Sequence, residues 1–333
     1  MKMCSVSCEQ FTAPVIKPLV IGGELITSRN CARVILNSAD GSRFIGEMSP
    51  LPHFNNETFA QAFLQLSHFY PSLSQLSFPE SLEKLSLFAK KHLTQLYPSV
   101  RNAIEMACFS YIESLKDPTS DRVVLNGLVI PGDSDFLNGV DKLLAAGYHS
   151  IKVKVGRKDI DVEIDFIQKI ISRIKGCATL RLDCNRAWSL TEAIYFGKAV
   201  ACDEIEYIEE PVTGRDAQIQ FFHETGILVA LDETLAEVDP ETLDLTGVNA
   251  FVLKPALIGG LTHTYKVVKY AQSRGIKPVL SSAFETDRAI LNYANFAVVL
   301  GINHIPHGLD TWKWLGSQEQ LFTVVAGDIV VNK

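Results

Sequence analysis

The chain reads as an α/β protein in which an α+β unit is followed by a closed parallel β/α barrel. Three observations lead there. From about Arg122 onward a short strand-like run, a loop and an amphipathic segment recur with a period of 22 to 29 residues. Eight such runs alternate with helical segments, the pattern of a parallel sheet with helical crossovers. The connecting turns open mostly on Asp, Ser or Gly, which start helices or permit tight turns. A barrel suits this many strands, and a doubly wound open sheet is the alternative. The units are unlike in sequence, so the repeat is structural.

The first part of the chain has a different texture. Arg33–Leu36 and Arg43–Glu47 flank Ala39-Asp40-Gly41-Ser42, whose Asp-Gly pair predicts a hairpin. Over 99–116, Val100, Ala103, Ile104, Ala107, Cys108, Tyr111, Ile112 and Leu115 recur at helical spacing. Residues 1–120 therefore read as three strands followed by helices, 121–310 as the barrel, and 311–333 as a segment returning toward the first unit. Barrel strands are expected at Val123–Leu128, Ser150–Val155, Thr179–Asp183, Glu204–Glu209, Ile227–Asp232, Asn249–Lys254 and Lys277–Ser281, with an eighth near Asn303–Ile305. Helices are expected between them, as at Asp159–Ile174 and Leu261–Arg274, and the one evident linker is the Lys116–Asp121 turn.

Composition narrows the function classes. The 333 residues are 47% hydrophobic and carry 31 basic against 38 acidic side chains, a net charge of −7. No Lys/Arg cluster offers a nucleic-acid surface. No run approaches the roughly 20 apolar residues that cross a bilayer, and the N-terminus lacks the apolar stretch of a secretory signal. Seven scattered Cys without a Cys-x-x-Cys pair fit reduced thiols, so a cytoplasmic protein acting on a small molecule is expected.

The chemistry gathers where apolar strands end in charge. Lys152 and Lys154 share one face of a strand, and the next four strands end in Asp183, Glu209, Asp232 and Lys254, at successive spacings of 29, 26, 23 and 22 residues beginning from Lys154. Each spacing is one β/α unit, which sets three carboxylates between lysines on one rim. Any one of these acids alone would read as a helix cap or surface group. Together they repel, and a hard divalent cation offsets that charge: Mg²⁺, with Mn²⁺ as a substitute. An inert ion-pair network is the competing reading, against which stands the rarity of two Lys inside one apolar strand.

These residues resemble the enolase superfamily in its muconate-lactonizing-enzyme subgroup, and most closely the o-succinylbenzoate synthases within it. The resemblance runs through Gly46-Glu47-Met48-Ser49-Pro50-Leu51-Pro52, Glu57-Thr58, Asn126-Gly127-Leu128, Lys152-x-Lys154 and Arg181-Leu182-Asp183-Cys184-Asn185-Arg186-Ala187-Trp188. It continues through Ile208-Glu209-Glu210-Pro211, Asp232-Glu233-Thr234, Lys254-Pro255 and Gly259-Gly260. It implies a (β/α)7β TIM-like barrel under an α+β capping domain, with Asp183, Glu209 and Asp232 as metal ligands and Lys154 and Lys254 as the catalytic pair. In the Glu209-Glu210 pair the resemblance selects Glu209. Lys152, Arg181, Asn185 and Glu233 stand in the same motifs and are expected to contact substrate or support the ligands. His53, where the family's cap loop often has Gly, and Ser281-Ser282-Ala283-Phe284-Glu285 depart from the pattern at substrate contacts.

The implied activity is a lyase reaction of menaquinone synthesis, dehydration of 2-succinyl-6-hydroxy-2,4-cyclohexadiene-1-carboxylate to 2-succinylbenzoate. A proton α to a carboxylate is barely acidic, and Mg²⁺ on the carboxylate stabilises the enediolate electrostatically; the pairing of a Lys base with Mg²⁺ is a known property of this superfamily. Lys154 is the expected base and Lys254 a cation over the delocalised anion. An N-acylamino-acid racemase or dipeptide epimerase of the same fold, and a non-catalytic metal-binding barrel, are the rival readings. Gly259-Gly260 is a candidate anion site at a helix start, with a simple turn as the alternative. Ser281 and Ser282 are placed to bond a substrate carboxylate, or else to cap. His304-x-x-His307 lacks a nearby acid or Cys for zinc, and Trp188, Trp312 and Trp314 read as packing.

Overall fold

The computed structural model describes residues 3–117, 120–130, 136–316 and 319–332, so residues 118 and 119 of the expected linker lie outside the described residues. The chain begins with a long hairpin, β1 (Met3–Ile21) and β2 (Glu24–Ser38), joined antiparallel by β3 (Arg43–Met48). Asp40 and Gly41 form the β2–β3 turn, with Gly41 N donating to Ser38 O at 3.1 Å and Ser38 N to Ser42 O at 3.0 Å. Helices α1 (Phe59–Leu73), α2 (Leu82–His92) and α3 (Pro98–Ser114) follow. The capping box of Thr58 and Gln61 starts α1, and Pro98 in its first turn starts α3.

The apolar stripe expected on α3 is present, yet its polar positions Ser99, Asn102 and Glu105 are buried as well. The helix is wedged between β3 and the barrel helices, so both its faces pack. Gly46 of β3 permits that approach: a Cβ there would lie 1.9 Å from Ala103 O. Gly46→Ala is therefore expected to destabilise the protein by about 1–3 kcal/mol, read as a lower urea midpoint at unchanged slope.

After β4 (Ser120–Val124), the barrel units run β5 (Gly127–Val129), α4 (Phe136–Ala145), β6 (Ser150–Lys154), α5 (Ile160–Ile174), β7 (Thr179–Asp183), α6 (Leu190–Val200), β8 (Ile205–Glu209) and α7 (Arg215–Thr225). They continue with β9 (Val229–Leu231), α8 (Glu233–Glu237), β10 (Val248–Leu253), α9 (Pro255–Ile258), α10 (Leu261–Ser273), β11 (Lys277–Leu280) and α11 (Asp287–Val299). β5 to β11 form one seven-stranded parallel sheet in sequence order. Caps match the expected helix starts, with Asp159 bonding Asp161 N and Ser189 forming a capping box with Glu192.

Two expectations at the sheet's seam are corrected. Val123–Leu128 is not one strand: it breaks near Asn126, β4 pairing antiparallel with β13 (Asp328–Asn332), itself paired with β12 (Thr323–Val325), while β5 joins the barrel. The eighth strand is not at Asn303–Ile305, which forms a turn with Ile305 N on Ile302 O. Pro306 has no N–H to give a ladder. Closure comes just beyond it, His307 bridging Leu125 and Gly308 bridging Ser281.

His307 is a seam residue, its Nδ1 accepting from Leu280 N at 3.0 Å and its Nε2 lying 3.1 Å from Ile302 O. Burial first, then Arg181, holds its imidazole down to about 3, against 6.5 ordinarily. The unfolded chain thus takes up a proton that the native state refuses, and stability is expected to fall as pH drops from about 6.5 toward about 3. Urea midpoints across that window check this, a His307→Asn variant showing the flatter slope.

The C-terminal stretch meets β1, where Leu315 bridges Val15 and Gly316 N donates to Pro14 O at 2.8 Å. The cap packs on the barrel through buried polar contacts. Glu105 of α3 accepts from Thr262 N at 2.7 Å and Thr262 Oγ1 at 2.9 Å, while Asn102 Nδ2 donates to Tyr293 OH at 3.0 Å. Thr286 Oγ1 donates to buried Glu47, and Asn55 Nδ2 donates to Ala256 O at 3.1 Å. Among the described residues no helix is long and apolar enough to cross a membrane, and Cys8, Cys31, Cys108, Cys177, Cys184 and Cys202 are free thiols.

Candidate active site

Strand alternation sets Lys152 and Lys154 on one face of β6 and the fully buried Ile151 and Val153 on the other. The parallel register aligns Lys154 with Asp183 and Asp183 with Glu209. Asp232 follows β9 and Lys254 follows β10, so the charged groups stand on the C-terminal ends of five adjacent strands.

Lys152 Nζ lies 2.8 and 2.6 Å from the Glu209 oxygens and 2.7 Å from Asp183 Oδ2. Lys154 Nζ donates to Asp183 Oδ2 at 2.5 Å and to Asn185 Oδ1 at 2.7 Å. Asn185 Nδ2 in turn donates to Glu233 Oε1 at 2.8 Å, and on the far flank Lys254 Nζ donates to Asp232 Oδ2.

Burial would raise Asp183, but Lys152 and Lys154 outweigh it and hold this acid well below the usual carboxylate range. Glu209 goes the other way, pushed up to about 8 by burial and then by Asp183. Glu233 is raised by burial and then by Asp232. Burial opposes the charge on Lys152 and Lys254, yet Asp183 raises the first and Asp232 the second. Burial first, and the neighbouring acids second, thus drive Glu209 and Glu233 toward neutrality.

Asp183 Oδ1 is buried with no hydrogen-bond partner. An all-carboxylate donor set with one orphaned oxygen suits a hard divalent cation, so the residues present fit such an ion. Among the described residues no three acid, His or Cys side chains already converge as a metal cage, and each of the three carboxylates is engaged by a lysine, Lys152 bridging Asp183 and Glu209.

Above the acids lies a cavity of about 260 Å³. Lys152, Lys154, Asp183, Asn185, Lys254, Ser281 and Ser282 line it, joined by Leu19, Val20 and Ile21 of β1 and by Leu51 and Phe54 of the cap loop. These apolar cap contributors carry no chemical signature, and only their place above the barrel mouth reveals them. Phe54 sets its ring 5.6 Å from Lys254 Nζ. His53 adopts φ 66°, which explains why Gly suits that position, and its ring pairs with Glu24 at 3.2 Å.

Arg181, Gly259 and Gly260 lie outside this cavity, while Ser281 and Ser282 line it with their hydroxyls turned to the protein. Arg181 is fully buried in the barrel interior, bonding Glu206 Oε2 at 2.7 Å and Pro306 O at 2.6 Å, and it does not line the cavity. Gly259 and Gly260 are corrected as an anion site: the anion at the start of α10 is the chain's own Glu105, 2.7 Å from where a Gly260 Cβ would sit. Gly259 is the left-handed cap of α9. Ser282 Oγ donates to Gly308 O at 3.3 Å and shares a hydrogen bond with Thr311, while Ser281 Oγ lies 3.5 Å from Gly308 O. Glu210 faces away from the cavity, accepting from Asp232 N at 3.0 Å, Thr234 N at 2.8 Å and Arg186 Nε at 2.9 Å. It fixes the turn that presents Asp232. Trp188, Trp312 and Trp314 pack against Phe196, Phe322 and Phe284.

Residues 135–328, more than half of the chain, match the family model described as enolase C-terminal domain-like. The chain belongs to this enolase family. Its relatives include the o-succinylbenzoate synthase of Vibrio cholerae serotype O1 (strain M66-2), 30% identical over 312 residues, covering 91% of this chain and 87% of that protein. The protein PHYLLO, chloroplastic, of Arabidopsis thaliana is 28% identical over 336 residues, covering 87% of this chain, which spans only 20% of that longer protein. Among solved structures, the dipeptide epimerase of Enterococcus faecalis V583, complexed with Mg and the dipeptide L-Leu-L-Tyr, superposes with a TM-score of 0.84 at 20% identity, covering 99% of this chain and 97% of that one. This likeness establishes the enolase-type TIM barrel with a separate capping sheet.

Proposed function

We propose that this enolase-family chain is an o-succinylbenzoate synthase, a lyase that dehydrates 2-succinyl-6-hydroxy-2,4-cyclohexadiene-1-carboxylate to 2-succinylbenzoate in menaquinone synthesis. The observation that carries this reading is the pair of lysines, Lys154 and Lys254, flanking buried carboxylates beneath a largely apolar cavity. The relatives named o-succinylbenzoate synthase support it. Residues 1–120 would serve as the cap and 121–310 as the catalytic barrel.

Asp183, Glu209 and Asp232 would hold a divalent cation, Mg²⁺ or Mn²⁺ in its stead. That cation supplies positive charge against the negative charge that develops on the substrate carboxylate as its α-proton leaves. Lys154 Nζ takes the proton, the C–H electrons enter the ring as the C–O bond breaks, and the same proton leaves with the hydroxyl as water. Asn185 holds Lys154 in line and is itself held by Glu233. Lys152 steadies Asp183 and Glu209. Lys254 acts as a fixed cation on the opposite flank.

Ultraviolet-monitored turnover of the cyclohexadiene tests the reading. Turnover should need added Mg²⁺ and stop in excess chelator, and full chelator-resistant activity overturns the metal assignment.

The symmetric placing of the two lysines also favours a second reading, a racemase of N-acylamino acids or an epimerase of dipeptides, in which both titrate. In deuterated water the synthase should exchange the α-proton of one N-acylamino-acid enantiomer much faster than the other. Lys254→Ala should slow dehydration without abolishing that exchange. Fast exchange of both enantiomers with no dehydration decides for the racemase.

A further inference from the structure

The loop after β6 carries Arg157, an exposed residue near Lys154. Its backbone is pinned: Gly156, Arg157 and Lys158 all donate their N–H to the Glu163 carboxylate, at 2.8, 2.8 and 3.1 Å. Its guanidinium has no acidic partner among the described residues. The lysines lining the inner cavity differ, since Lys152, Lys154 and Lys254 are each paired with an acid. The hydroxyl of Ser282 is engaged with Gly308 and Thr311.

Arg157 also stands where two spaces meet. It lines the cavity above the acids and an adjoining groove of about 830 Å³ between β1 and the first barrel unit. Lys17, Lys142 and Lys313 line that groove too. Its acidic member, Asp310, is already bonded to Tyr148 at 2.9 Å and Lys313 at 2.9 Å. On a chain of net charge −7, the described residues lining this groove carry more cationic than acidic side chains, the arrangement that draws an anion inward.

We propose that Arg157 is a specificity-determining residue that binds the second carboxylate of a dianionic substrate, the one remote from the reacting carbon. The proposal rests on the reading above, in which the first carboxylate sits at the acids beside Lys154. Leu128 and Ile130, which line both spaces, cover the carbon chain that joins the two ends. A guanidinium with a fixed backbone offers a planar fork to a carboxylate, a geometry an ammonium cannot reproduce.

The test compares wild type, Arg157→Leu and Arg157→Lys on the cyclohexadiene substrate with Mg²⁺ present. Arg157→Leu is expected to raise KM about 10- to 100-fold with kcat nearly unchanged, and Arg157→Lys to recover part of that. Calorimetric affinity for 2-succinylbenzoate should fall in parallel while that for benzoate stays the same. The decline of kcat/KM with ionic strength should be shallower in Arg157→Leu than in wild type. An unchanged KM and 2-succinylbenzoate affinity, or equal losses for 2-succinylbenzoate and benzoate, overturn the proposal. Absent turnover by wild type defeats the reading of the reaction instead, and the paired binding measurements still decide for or against Arg157.

Discussion

Turnover by Lys154→Arg is expected to fall at least about 10²- to 10⁴-fold while the substrate still binds. Arg keeps the positive charge that balances Asp183 but stays protonated throughout the accessible pH range, so it cannot accept the α-proton. It can still donate to Asp183 and Asn185, the two partners of Lys154 at 2.5 and 2.7 Å, so the barrel mouth is expected to hold its shape. Steady-state rates together with calorimetric affinity for 2-succinylbenzoate separate the two effects. Unchanged turnover in this variant would move the base elsewhere, with Lys254 the first candidate.

Asp183→Asn is expected to weaken Mg²⁺ binding by at least about 100-fold and to remove activity. Loss of a supporting partner alone commonly costs 10- to 100-fold, and Asp183 is proposed as a direct ligand. The substitution keeps the side chain's shape and removes its charge, leaving Lys152 and Lys154 with one acid fewer between them. Calorimetric titration with Mg²⁺ reads the loss, and circular dichroism reports whether the barrel persists. Asp232→Asn should behave alike on the other flank. Wild-type Mg²⁺ affinity in Asp183→Asn would remove this residue from the ligand set.

Much of this is legible in the sequence. The barrel strands end in charges spaced by one β/α unit, and alternation along Ser150–Lys154 fixes which faces those charges take. Local chemistry sufficed there because each strand states its own face. What escaped depends on partners distant in the chain. Arg181 sits in the same motif as Asp183, yet its length carries the guanidinium down to Glu206 and Pro306 O. Gly259-Gly260 had the local form of an anion site, and only the packing of α3 supplies Glu105 to it. The place of the eighth strand is not legible in the sequence, because His307 and Gly308 carry no strand-like run and are held by both neighbours at the seam. Arg157 is not legible as a site residue in the sequence, because its significance lies in having no acidic partner among the described residues, a property that a sequence does not express.

The burial of Glu105 bears on how this protein can be recombined. Its carboxylate is fully enclosed at the joint between the two halves, where Arg101 Nε meets it at 2.7 Å and Thr262 completes its hydrogen bonds. A chimera that takes its cap from one homologue and its barrel from another keeps the Arg101–Glu105 pair but loses the donors and the space that Thr262 and Gly260 give it, unless the new barrel supplies both. Arg101 travels with Glu105 on α3, so such a crossover takes from Glu105 only the two Thr262 hydrogen bonds, and a buried carboxylate that loses its donors costs about 1–3 kcal/mol. Crossovers between the halves should therefore give less stable chains unless Glu105, Gly260 and Thr262 are matched, so cap and barrel are not freely exchangeable modules.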